Sequence, residues 1–276
     1  MKNANLIMVL LCYATLPSNA QNARQPVVTW YASSGAYSKD FSDAFTVYTN
    51  PASLAGTDHF SAGVYGEQRF MLTETGNYAA VIAIPSASGN FALTAEYFGY
   101  KAYNETTLGI GYGRKIGEQV YIGARFNYYS VLIQSYGKAS TLNAEAGSLF
   151  QLTPQLWSGF SVANLFPGRL GKQTGEKLAR VYKAGIGYTL SQLCFFGATV
   201  IKEENSVPSA HFSIQYRPIR QLFARAGILT GNHSWYAGLG YLWKNLRMDI
   251  TASFHDRLGM SPGLLLLYEA PQTETE

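Results

Sequence analysis

The sequence has almost no cysteine, little charge and no long apolar run past its N-terminus. Its two cysteines are Cys12 and Cys194. Cys12 falls inside a stretch with the marks of a secretory signal, so cleavage leaves one thiol. A single thiol makes neither an internal disulfide nor a metal-ligand cluster. Charged residues are 14% of the chain, against roughly 25% in soluble domains. No segment after the N-terminus approaches 18 consecutive apolar residues, which excludes a membrane-spanning helix. The four histidines, His59, His211, His233 and His255, form no H-x-x-x-H or H-E-x-x-H pair, so no metal and no cofactor is expected. The net charge of +4 is mild and dispersed, which argues against a nucleic-acid partner.

Hydrophobic residues make up 47% and aromatics 14%, with 20 tyrosines. Residues 1–20 read as a secretory signal: Lys2 is the basic start, Leu6–Leu11 the short apolar core, and Ser18-Asn19-Ala20 the cleavage site. From residue 59 onward the chain breaks into segments of roughly ten residues with alternating character. Leu246–Phe254 is the clearest: even positions are apolar, odd positions are Arg247, Asp249, Thr251 and Ser253, and His255 continues the polar set. A strand with that period shows one greasy and one polar face. About fourteen such segments, each near the 9–11 residues a membrane strand needs, predict an all-β, transmembrane antiparallel β-barrel. The strongest are 104–114, 119–131, 141–152, 180–190, 210–217, 222–229, 234–243, 245–254 and 261–268. Fainter ones lie at 59–66, 77–84, 91–99, 156–164 and 192–201.

The connections predict alternating lengths. Short turns are expected at 116–118, 153–155, 218–220 and 244–245, and longer loops at 66–76, 100–106, 132–140, 165–179, 202–209, 230–234 and 255–260. Short periplasmic turns opposite longer external loops are the barrel rule. The expected division is a signal at 1–20, an N-terminal plug or hatch segment at 21–58, the barrel at 59–268 and a periplasmic tail at 269–276. Inward positions would carry Glu96, Arg125, Glu145, Lys183, Arg217, Arg225, Arg247, Asp249 and His255, lining the lumen with mixed charge. Leu108–Tyr112, Ala184–Tyr188 and Ala237–Tyr241 repeat one Gly-x-Gly-Tyr pattern. Their inward glycines leave room for packed neighbours or bent strands.

Motifs that look catalytic fail on chemistry. Gly259-Met260-Ser261-Pro262-Gly263 fits G-x-S-x-G. In that elbow the residue after serine donates an oxyanion N–H, and Pro262 has none. Gly109–Arg114 falls short of G-x-G-x-x-G, with Arg114 at the third glycine. No triad or paired-acid set stands out, so the chain is read as non-enzymatic.

Ser261–Tyr268 has a polar residue, then Gly263, then apolar residues through Leu266 to the aromatic Tyr268. It resembles the C-terminal recognition signal of bacterial outer-membrane barrels, although eight residues follow. Asn50-Pro51-Ala52, within Ala44–Ala55 just before the first strand, resembles the NPA segment of the FadL-like channel superfamily. It is most similar to the PorV/PorQ branch of Bacteroidota, as is Val162-Ala163-Asn164-Leu165. The resemblance implies a fourteen-stranded barrel in the outer membrane of a Gram-negative bacterium, contacting its lipid. It also implies an N-terminal segment in the lumen or across its periplasmic mouth. Two functions follow: a partner subunit of an outer-membrane export or assembly machine of type IX secretion, and a FadL-like channel for small hydrophobic molecules. The expected mixed charge of the lumen favours the first.

Overall fold

The computed structural model describes residues 28–166, 169–170 and 176–271. The expected signal segment lies outside them. Alternating apolar and polar residues build β1 (Ser61–Gln68), β2 (Gly76–Ile84), β3 (Asn90–Tyr100), β4 (Tyr103–Ile116), β5 (Val120–Ile133), β6 (Gly137–Gln151) and β7 (Leu156–Ala163). After two short strands, β8 (Arg169–Leu170) and β9 (Glu176–Lys177), come β10 (Val181–Ser191), β11 (Cys194–Glu203), β12 (Ser209–Ile219) and β13 (Leu222–Leu229). The set ends with β14 (Ser234–Trp243), β15 (Leu246–His255) and β16 (Gly259–Glu269). All except β8 and β9 join in one closed antiparallel barrel of fourteen strands. Sequence neighbours pair in order, β7 pairs β10, and β1 closes on β16 from Ser61↔Glu269 to Glu67↔Gly263. Closure leaves no open sheet edge in the ring, the condition a sheet must meet to cross a bilayer.

The outer surface is apolar all round. Phe126 on β5, Leu239 on β14 and Ile250 on β15 are each more than 60% exposed, and most barrel strands contribute similar side chains. Soluble monomers do not leave so wide an apolar belt in water. The opposite parity points inward: in β15, Arg247, Asp249 and Thr251 are buried while Met248 and Ile250 are exposed.

The expected alternation of loop lengths is corrected. The connections after β3 and β5 are only residues 101–102 and 134–136, shorter than the 85–89 connection at the other end. Polar residues expected to form loops extend the strands instead. Tyr103 and Tyr129 both donate hydroxyl hydrogen bonds to Glu105, at 2.6 and 2.8 Å. Satisfied side chains on the inner face let the β4–β5 ladder run on as far as Tyr103↔Ile133.

The interior is filled by the chain before β1. One helical turn, α1 (Val28–Tyr31), and two 3-10 helices at Ala44–Tyr48 and Pro51–Gly56 lie in the lumen. Tyr31, Phe45, Val47, Tyr48 and Leu54 form the main core with the inward Tyr65, Val81, Leu265 and Leu267. A second cluster joins Tyr37 and Ala52 to Tyr121, Leu149 and Trp157. The last strand is therefore apolar on both faces: Leu264 and Tyr268 point out, while Leu265 and Leu267 are fully buried against the plug.

Candidate functional site: the plugged lumen

Local chemistry shapes the plug. The Asp43 carboxylate accepts from the Phe45 N–H at 3.1 Å and caps the first 3-10 helix. Asn50 accepts from the Ala52 N–H at 3.0 Å and caps the second, with Pro51 in its first turn. A side-chain acceptor before a helical turn satisfies an otherwise free donor, and Pro lacks the N–H that would be orphaned there. Asn50 also reaches the wall: its amide donates to the Ser148 carbonyl at 3.1 Å. Asn50 and Ala52 are fully buried.

The charged inner wall meets the plug in two groups. In the first, the Asp43 carboxylate of the plug lies between Arg225, at 3.0 Å, and Arg247, at 3.1 Å. Arg247 also pairs with Asp249 at 2.8 Å, and Asp249 accepts from the Tyr31 hydroxyl at 3.1 Å. Arg225 donates to the carbonyls of Tyr31 and Ala32. In the second, Arg125 pairs with Glu145 at 2.8 Å and Glu96 at 3.6 Å and lies over the Tyr48 ring. Lys183 donates to the Tyr48 carbonyl at 3.2 Å. Each group holds two acids and two bases, so the buried charges neutralise one another. A buried pair is kept by such complete geometry, since a lone buried ion is costly.

Arg217 lies nearer the end of the barrel where β1 begins and β16 ends. It sits over the rings of Phe41 and Phe223 and donates to the Asp40 carbonyl at 3.3 Å. His255 stands at the opposite end, edge-on to Phe70. Six residues of strand, about 20 Å, separate it from Asp249. His255 therefore shares the inward row of Arg247 and Asp249 but stands apart from them. Gly263 faces inward beside Thr251 and Tyr65, while Tyr268 faces outward and Leu266 is half-buried on the same outward row.

Pattern reading missed the plug side chains that meet the wall: Tyr31, Tyr37, Asp43 and Tyr48. They belong to no alternating strand, so periodicity is silent on them. The Gly-x-Gly-Tyr repeat carried a trace of them. A Cβ at Gly185 or Gly187 would overlap Tyr37, one at Gly238 would overlap the Tyr31 ring, and one at Gly111 would meet Leu54. At these four glycines the repeat marks where the plug lies against bare backbone, while Gly109 and Gly240 face the wall side chains Asn127 and Asp249.

Among the described residues, cavities lie around the plug. A cavity of about 230 Å³ at the loop end is walled by Trp30, Tyr31, Tyr65, Phe70, Tyr236 and His255. A polar one of about 140 Å³ lies beside Tyr48, Glu96, Arg125 and Lys183. Another, about 280 Å³, lies where β1 begins and β16 ends, between Lys39–Asp43 and Arg217. There, His59 lies 3.8 Å from the Glu269 carboxylate, which holds the imidazole above its ordinary value against the opposing effect of burial. Among the described residues no three His, Cys, Asp or Glu side chains converge as a metal site requires.

No protein-family model matches the chain, and no curated protein matches it in sequence. Solved structures do match in fold. The toluene transporter TodX of Pseudomonas putida superposes with a TM-score of 0.65 at 10% identity, over 89% of this chain and 97% of that one. The Ralstonia pickettii toluene transporter TbuX gives 0.64 at 11%, over 88% and 97%. The monoaromatic hydrocarbon channel CymD gives 0.61 at 12%, over 88% and 96%. At these identities the likeness is one of fold alone.

Proposed function

We propose that the protein is a non-enzymatic outer-membrane channel for small hydrophobic molecules, with the plug of residues 28–58 closing its resting lumen. The observation that carries this reading is the aromatic cavity at the loop end. Trp30 and Tyr31 supply its plug side, and Tyr65, Phe70 and Tyr236 complete an aromatic wall. Such a wall suits an apolar, ring-sized ligand, with edge and face contacts for aromatic groups. The shared fold of three hydrocarbon transporters supports the same class of cargo. The apolar belt supports residence in lipid, and the expected signal at 1–20 supports export to the outer membrane of a Gram-negative bacterium.

The test is toluene binding to the detergent-solubilised protein, read by tryptophan fluorescence and by equilibrium partition, together with toluene uptake by cells that express it. Trp30→Ala should weaken binding about tenfold, the loss of one aromatic contact of ~1.4 kcal/mol. Absence of toluene binding in both assays would overturn the channel reading.

The secretion-partner role implied by the NPA resemblance is the second reading. What favours it is the filled lumen, with Phe45, Val47, Asn50 and Ala52 entirely shielded from solvent. It requires a large outer-membrane translocon to co-purify in stoichiometric amount from native membranes. The channel reading requires the barrel to come away alone.

A further inference from the structure

Four buried polar atoms with neither a hydrogen-bond nor an ion-pair partner gather in one part of the lumen wall: Asn77 Nδ2, Thr94 Oγ1, Arg125 Nε and Asn127 Oδ1. They come from three strands, β2, β3 and β5, around the bare Gly109 of β4, over which Thr94 Oγ1 and Asn127 Oδ1 converge. Asn77, Arg125 and Asn127 line the polar cavity of about 140 Å³. Native proteins leave few buried polar groups unpaired, and a cluster of them around one cavity signals an occupant. Each such atom otherwise loses its solvation on burial with nothing in return.

The charges around the cavity say what class of occupant fits. Arg69, Arg125 and Lys183 face Glu96, Glu105 and Glu145, three bases against three acids. These groups are already engaged: Arg69 with Glu67, Arg125 with Glu145 and Glu96, Lys183 with the Tyr48 carbonyl, and Glu105 with Tyr103 and Tyr129. What is left over is amide and guanidinium N–H, one hydroxyl and one amide carbonyl, on a background of no net charge. An anion would face Glu96, Glu105 and Glu145, and a cation would face Arg69, Arg125 and Lys183. We infer that this cavity is a binding site for a small uncharged solute rich in hydroxyl groups, such as a short polyol. It is distinct from the aromatic cavity and does not depend on the hydrocarbon reading.

The probe is radiolabelled erythritol in equilibrium dialysis against the full-length protein in detergent, with acetate and methylammonium as charged controls. One erythritol per protein is expected, with neither control bound. Asn77→Leu keeps side-chain volume and removes from the cavity wall an amide that lacks a partner. It should therefore fold, as shown by heat-modifiable gel migration, and weaken erythritol binding at least tenfold. No bound erythritol would mean that the cavity holds water alone, and would overturn the inference. Undiminished binding in Asn77→Leu, or acetate binding as tight as erythritol, would overturn it equally.

Discussion

Replacing Asp43 by alanine tests whether charge holds the plug in the barrel. The Asp43 carboxylate bridges Arg225 and Arg247, and all three side chains are at most 3% exposed. Removing one partner of a buried ion pair costs about 3–5 kcal/mol, because the other charge stays buried and uncompensated. Here the lower figure applies. Arg247 keeps Asp249, and Arg225 keeps the two carbonyls of Tyr31 and Ala32. The barrel ladders do not run through Asp43, so the loss of about 3 kcal/mol should fall on plug docking. At about 1.4 kcal/mol per decade that is roughly 100-fold more frequent undocking. Hydrogen exchange with mass spectrometry reads it directly: peptides from 31–56 should exchange about 100-fold faster, and peptides from β4–β6 should not change. Asp43→Asn keeps an acceptor for the Phe45 N–H and should show most of the same effect, which assigns it to charge rather than to the cap. Unchanged protection of 31–56 in Asp43→Ala would refute the idea that this charge cluster retains the plug.

Steric and pH perturbations extend the test. Gly185→Ala places a methyl group against the Tyr37 ring, and overpacking of this kind costs about 1–3 kcal/mol. It should speed exchange around Tyr37, and an unchanged rate would show that the plug does not need that bare backbone. His59 has a raised pKa in the folded protein, from its Glu269 partner. Its stabilising contribution is therefore full below the unfolded value of 6.5 and is lost as pH rises through the higher folded value. The wild-type thermal midpoint should exceed that of His59→Gln just below pH 6.5, with the gap closing at alkaline pH. A pH-independent gap would remove the ion pair from the account.

The two charge clusters recast the lumen. Mixed charge along an inner wall reads as a wet or salt-bridged pore when only the strands are considered. With the plug in place, Arg225 and Arg247 hold Asp43, and Arg125 and Lys183 hold Tyr48. On the proposed channel reading these side chains bear on gating, because any path through the barrel would require the plug to move past them. Their replacement would perturb plug position and conductance together.

Strand number, closure and inner-face residues were legible from alternation, because a period of two is enforced wherever one face meets lipid and the other does not. Arg125, Arg225, Arg247 and Asp249 could be placed inward for that reason, and Asn50-Pro51-Ala52 could be placed outside the strands because proline and a capping asparagine suit a turn. Strand ends were less legible: Tyr103 falls in the expected loop 100–106 until its hydroxyl meets Glu105 in the ladder. Alternation put His255 on the face of Asp249, but it reports the face of a strand and not distance along it. The sequence by itself determined the barrel, since side-chain parity is local chemistry written residue by residue. Only the tertiary structure decided what fills it. The contacts of Asp43 with Arg225 and Arg247, and of Tyr37 with Gly185, join residues about 150 to 200 apart in the chain, and no local period encodes such a meeting.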